Sequence, residues 1–419
     1  MKSTSNPWWL QGLAAAAMVL GAWLFWNQGS QTSAWVYPYF SGAANLGLDL
    51  AWRIDANAYS AFVDLSYAEQ MNHLFVRGAP GDLLPYSILD RGYVYIVWLA
   101  QTLLFWLPPI KAVLWLQVGF HVLSVLWVLS RLTSRRQQLV FLLAYGLNPV
   151  VLHFVTFAYY YYWQVLPALL WVAYEARGGA PLGPRIYAMA VAMMAIFLIR
   201  QSTLLVCLCM LAYWVWRERT LHAGLALLAL LVFVLAVKNP SQPWHTAYVG
   251  LGAYPNAGGL ILSDESGYSR YQQLTGVQIN TALPDGNYYD ARVRADYYQV
   301  LRQELTHYAT QHPLELARNA VINLAQSFSL GYVVKSRTIS YLSAAAGGLV
   351  MVLMAWQGMV LRMIVLAAGV VGFVLYFPPI PAYMFGNYLL LAWALVHVRG
   401  PWQRWLPRTS AARPTQHTQ

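Results

Sequence analysis

Along most of this chain, apolar runs alternate with short breaks that carry arginine, and two long polar segments interrupt the alternation. A hydrocarbon core needs about 17–25 apolar residues per helix. By that measure the pattern predicts spans near 8–27, 112–130, 138–153, 157–174, 186–199, 202–216 and 222–237, and then 338–356, 359–376 and 382–398. The stretch from Gly92 to Leu107 is also apolar, but Pro108-Pro109 interrupts it. Counting it as a span would put Lys111 inside and Arg131, Arg135 and Arg136 outside, against the positive-inside tendency. It reads instead as an interfacial helix on the outer face.

The ten spans leave both ends on the cytoplasmic side, with Arg399, Arg404, Arg408 and Arg413 in an inner tail. In this arrangement only Glu175 and Glu218 lie inside, so thirteen of the fifteen acidic residues face out. The organisation is an N-terminal transmembrane module over 1–238 with a first outer loop over 28–111, and an outer segment over 239–337. C-terminal helices over 338–398 and a basic tail over 399–419 complete it. The run from Trp8 to Trp26 is longer than the apolar core of a usual signal peptide and reads as an uncleaved first span. No internal repeat is visible, against the inverted-repeat transporter folds.

Composition agrees with an all-α polytopic membrane protein. Only 10% of residues are charged and 59% are hydrophobic, whereas soluble domains carry about 25% charged residues. Nineteen Trp and twenty-nine Tyr suit interfacial belts. The net charge of +11 would suggest nucleic acid in a soluble protein; here the excess sits in short loops and sets topology. Cys207 and Cys209 are two residues apart in one apolar run and so point to different helix faces, which predicts neither a disulfide nor a metal site.

The second outer segment divides in two. Its first part, Pro243 through Gly252 and on to Tyr268, has the glycines and polar residues of a loop. From Tyr289 to about Leu330, Val293, Tyr297, Leu301, Leu305 and Tyr308 recur at helical spacing, with a break at His312-Pro313. This predicts a small helical cap.

Ionisable groups at a membrane edge are the first places to look for chemistry. Arg200, in Ile199-Arg200-Gln201-Ser202-Thr203, lies between two apolar runs, and a guanidinium fork suits a phosphate. Lys238, Lys335 and Arg337 flank the outer segment, and Arg91 opens the interfacial helix. Each either anchors the interface or joins a cationic rim for a lipid phosphate, with Arg337 as the preferred second ligand. Tyr159 to Tyr162 and Trp163 read as an outward-facing aromatic belt or as a stacking platform. His153 and His245 are candidates for hydrogen bonding to an acceptor. Asp264-Glu265 can join Asp55 around a divalent metal cation, but no spacing requires it. No phosphate-binding glycine loop or dinucleotide fingerprint is present.

The stretch Trp52-Arg53-Ile54-Asp55-Ala56-Asn57-Ala58-Tyr59 lies in the acid-rich first outer loop. A carboxylate beside an arginine, four residues before a tyrosine and just past a first span, resembles the first extracytoplasmic loop of the GT-C superfamily of membrane glycosyltransferases. These use polyprenyl-phosphate-linked sugars; the likeness is to the protein mannosyltransferase and aminoarabinose transferase type. Arg200 and the Pro378-Pro379, Pro381, Tyr383 lead-in to the last span are similar to features of that superfamily. The resemblance implies a bacterial inner-membrane enzyme that transfers one sugar to a periplasmic acceptor (a protein such as pilin, a polysaccharide or a glycolipid). It implies Asp55 as the catalytic base or as the group that holds the acceptor for in-line attack, with Arg53 and Tyr59 beside it, and inversion at the anomeric carbon. An O-antigen ligase or polymerase and a lipid-linked sugar flippase remain as alternatives.

Overall fold

The computed structural model describes residues 8–26, 32–46, 53–78, 83–85, 90–178, 182–237, 243–281 and 286–398. It is 77% helical, an all-α protein. Helix α1 (Trp8–Trp26) is followed by the first loop, in which α2 (Tyr37–Ala44), α3 (Ala56–Asp64) and α4 (Tyr67–Asn72) accompany a two-strand clasp. The clasp pairs β1 (Arg53–Asp55) antiparallel with β2 (Leu83–Pro85), Arg53 opposite Pro85. The hydrophobic pattern does not foretell these strands, because each is only three residues long. Helix α4 starts with a reciprocal capping box between Ser66 and Glu69.

The apolar helices follow the predicted runs, except that the run over 138–153 is split by a bend and the run over 157–174 is α-helical only in its second half. They are α5 (Gly92–Leu103), α6 (Pro109–Arg131), α7 (Arg135–Phe141), α8 (Pro149–Val155), α9 (Val165–Glu175), α10 (Arg185–Ile199), α11 (Leu204–Glu218) and α12 (Leu221–Val237). After the outer segment come α17 (Arg337–Trp356), α18 (Val360–Val374) and α19 (Pro381–Val396). Among the described residues, three helices are long and apolar enough to cross a membrane: Trp9–Trp26, Pro109–Arg131 and Arg337–Trp356. The pair Arg135–Gly146 and Pro149–Val155, bent by 55°, makes a fourth if counted as one span. The others are shorter apolar helices, so the molecule has the build of a membrane protein without ten full-length spans in view.

Two breaks in the helices shape the interior. The run expected as a span over 157–174 does not become α-helix until Val165; Phe157 to Tyr161 turn irregularly. Buried non-helical backbone survives only where its polar groups find partners. Gln117 supplies a partner from α6, donating through Nε2 to the carbonyls of Val155 and Phe157, both at 2.9 Å. A second break, at Arg200 to Thr203, separates α10 from α11.

The outer segment is helical throughout much of its length. The expected loop after Pro243 contains α13 (Trp244–Gly250), a short 3₁₀ turn to Ala253, and α14 (Asp264–Thr275). Gly250 serves close packing rather than a loop, since a Cβ there would collide with the Tyr376 carbonyl oxygen. Helices α15 (Ala291–Gln311) and α16 (Pro313–Gln326) meet at the expected His312-Pro313 break. Tyr248, Leu251, Tyr271, Ile279, Tyr297 and Leu301 form a separate core for this cap. Helix α16 carries a buried amide stripe that ties the cap to the spans: Asn323 donates to Val374 O and Gln326 to Ser340 O, each at 2.9 Å.

Candidate functional site

Arg200 is the C-cap of α10, in an extended backbone conformation. Its Nη1 donates to Asp90 Oδ2 at 2.7 Å, and the other carboxylate oxygen accepts from the Gln201 backbone N–H at 2.9 Å. The pair is nearly enclosed, with side-chain exposures of 12% and 4%. One residue makes this approach possible. A Cβ on Gly92 would stand 2.5 Å from the Ile199 nitrogen, so only glycine lets the start of α5 lie against the end of α10.

The guanidinium is bedded on aromatic faces. Its Cζ lies 4.2 Å from the Tyr160 ring centroid, 5.7 Å from Tyr161 and 5.8 Å from Tyr383. Such contacts are strongest where water is excluded. Tyr39 of α2 meets Tyr93, Tyr159 and Tyr160 edge-on at 5.3 to 5.6 Å. Burial pushes the Tyr39 phenol far up, keeping it a neutral hydrogen-bonding group. The tyrosine run expected as an interfacial belt is therefore interior: Tyr159 and Tyr160 are buried and Tyr162 fully so. The Arg200 Nε–H has no hydrogen-bond partner among the described residues.

Asp55 belongs to the same loop but has a different role. It ends β1 and N-caps α3, its Oδ1 accepting from the Ala58 N–H at 3.0 Å. Close by, Tyr37 packs against Tyr59 and Phe62 at 5.5 and 5.3 Å. Burial pushes the Tyr37 phenol up to about 12, and the Asp55 carboxylate adds to the shift. Tyr37 and Tyr39 both belong to α2, so one short helix touches the surroundings of both carboxylates, Asp55 and Asp90.

From the cap, His245 is hydrogen-bonded through Nε2 to Asp264 Oδ1 at 3.1 Å and through Nδ1 to the Tyr297 hydroxyl at 2.5 Å. The hydrogen bond from His245 holds the Asp264 carboxyl below its usual range. Tyr383 is within electrostatic reach of both Arg200 and Asp264, which brings the cap to the edge of the arginine site.

The residues expected to act are thus partly gathered. Asp55 and Tyr59 share the first-loop cluster, and His245 and Asp264 share the cap cluster. Arg200 is the centre of a third. Arg91 is exposed at the N-cap of α5, next in sequence to Asp90. Arg53 is placed by its backbone on β1. Arg337 stands exposed at the start of α17, beside Tyr332. Lys238 lies outside the described residues. Among the described residues no group of three His, Cys, Asp or Glu is arranged to hold a metal ion, so Asp55 and Asp264-Glu265 do not converge on one.

Sequence reasoning missed Asp90. Its signal was there: a carboxylate directly before Arg91-Gly92, at the threshold of an apolar helix where a charge is expensive without a partner. No protein-family model matches this chain, and no curated protein or solved structure matches it.

Proposed function

We propose that this protein is an integral membrane glycosyltransferase of GT-C type, with ten spans in the bacterial inner membrane and both termini cytoplasmic. It transfers a sugar from a polyprenyl-phosphate donor to a periplasmic acceptor. The observation that carries the reading is the Arg200 guanidinium, fixed by Asp90 and tyrosine faces between the first loop and the cap. A cation held in this way offers a lipid phosphate a preorganised partner, and such groups stabilise charge as it develops.

In the reaction, the acceptor hydroxyl oxygen attacks the anomeric carbon while the bond from that carbon to the phosphate oxygen breaks. The phosphate leaves with the bonding electrons, toward Arg200. The hydroxyl proton passes to the Asp55 carboxylate, whose Oδ1 is engaged by the Ala58 N–H. One displacement inverts the configuration. Asp90 acts through Arg200 as a positioning residue, because both its oxygens are already engaged.

Purified protein in lipid nanodiscs, given a panel of polyprenyl-phosphate sugars, should release polyprenyl phosphate with at least one of them. No release from any donor, under conditions where the protein remains folded, would remove the reading. Flipping of intact donor without cleavage would replace it with transport.

A further inference from the structure

On the cap, an open cleft of about 810 Å³ runs along one side of α15, with Trp244 of α13 at its end. Its α15 wall is a polar stripe at helical spacing, with Gln299, Arg302, Gln303, Thr306 and His307 all exposed. The opposite side of that helix carries the buried Tyr297 and Leu301 of the cap core. None of the residues that line the cleft is acidic; the carboxylate on this part of the helix, Glu304, is taken by Arg270 at 2.6 Å on another face.

The chemistry of this lining is specific. The Arg302 guanidinium lies over the Trp244 ring, its Cζ 5.3 Å from the ring centroid, and the indole packs against the cap core. Two amides, a hydroxyl, an imidazole and a guanidinium follow in a row. Amides and hydroxyls both donate and accept. A surface that pairs an aromatic plane with a ladder of such groups complements a molecule with apolar C–H faces and hydroxyls on every edge. That is a saccharide chain. A lipid surface would want exposed apolar side chains here, and a basic partner would want carboxylates; the stripe has neither. The cleft volume lies in the range that holds a drug-sized ligand, enough for several sugar rings.

We infer that this cleft is a glycan-binding site which seats the saccharide chain of the acceptor. The inference rests on the proposed glycosyltransferase reading and narrows its acceptor to a carbohydrate. Trp244 and His245 are consecutive on α13, the first facing the cleft and the second bonded to Asp264 and Tyr297, so the same short helix serves the cleft and the Asp264 cluster.

The test is direct binding, independent of turnover. Full-length protein in nanodiscs is titrated with a glucan heptasaccharide, a mannan oligosaccharide and a chitin oligosaccharide, with a Ser/Thr-rich peptide as the comparison. Tryptophan fluorescence and ligand-side saturation-transfer spectra are the readouts. At least one saccharide should bind and the peptide should not. Gln299→Ala and Gln303→Ala, both at exposed positions where folding does not depend on the side chain, should each weaken binding several-fold. Trp244→Ala should weaken it by about tenfold, which corresponds to ~1.4 kcal/mol. Absence of saccharide binding, equal binding of the peptide, or affinities unmoved by Gln299→Ala and Gln303→Ala would each overturn the inference. Release of polyprenyl phosphate is scored separately in the wild type. Release without glycan binding leaves the enzyme reading standing and removes the cleft; glycan binding without release does the opposite.

Discussion

Asp90 and Arg200, 110 residues apart in sequence, form the enclosed ion pair at the meeting of α5 and α10. Removing one partner of such a pair leaves the other charge buried and costs about 3–5 kcal/mol. Asp90→Ala should therefore lower thermal stability sharply. Asp90→Ala combined with Arg200→Met should recover much of the loss. A double variant as unstable as the single one would show that the pair's charges are not what the single substitution disturbs.

Gly92 makes that meeting possible. Gly92→Ala forces a methyl group against the Ile199 backbone, and overpacking of this kind costs about 1–3 kcal/mol. Gly119, mid-helix in α6 with open space where a Cβ would go, is the comparison. Gly119→Ala should be neutral or stabilising by about 0.5–1 kcal/mol, because alanine favours the helix. Equal effects at the two positions would mean that the close approach carries no strain.

Two substitutions separate the roles of Asp55. Asparagine caps a helix as well as aspartate, whereas alanine costs about 0.5–2 kcal/mol. Asp55→Asn should keep stability near wild type while polyprenyl-phosphate release falls by about 10²–10⁴-fold. Asp55→Ala should lose both. Normal release by Asp55→Asn, with folding intact, would make this residue a helix cap and nothing more.

His73 supplies a pH dependence. Its ring packs against Phe62 and Phe75 at 5.2 and 4.8 Å, and burial holds the imidazole below the ordinary histidine value. Between the two values the unfolded loop binds the proton and the folded loop does not, so stability rises with pH. The contribution is complete above the ordinary histidine value and is lost as pH falls through the depressed one. Hydrogen exchange across residues 56–72 should accelerate on going from neutral to mildly acid solution. His73→Leu should remove that acceleration; its persistence would assign the effect to another group.

Topology can be read with an impermeant thiol reagent in a variant without Cys207 and Cys209. Thr310→Cys, exposed on α15, should label in cells whose outer barrier is opened. Thr133→Cys, exposed between α6 and α7, should label only after the inner membrane is breached. The opposite pattern would invert the proposed orientation.

The long apolar helices were legible because a single physical constraint, uninterrupted hydrophobicity, writes them into consecutive residues. The run read at 186–199 is α10, Arg185–Ile199, and the run read at 338–356 is α17, Arg337–Trp356. What was not legible depends on residues far apart. Nothing local to Tyr159 and Tyr160 says that they bury themselves around Arg200 rather than lie in lipid. The clasp joins β1 to β2 across the chain that holds α3 and α4, and no periodicity develops in three residues. Gly250 looks the same in sequence whether it frees a loop or admits a neighbouring carbonyl.

The cap is fastened closely to the last two helices. Gly250 lies against Tyr376, Asn323 reaches the Val374 carbonyl, and the Tyr332 N–H donates to Pro379 at 2.8 Å. These three attachments land on the turn between α18 and α19 or on the end of α18: Gly250 and Tyr332 meet backbone with backbone, and Asn323 reaches through its side-chain amide. Opening the cap as a unit would have to break all of them together. On the proposed reading, a donor whose tail stays in the bilayer would reach Arg200 without any movement of these attachments.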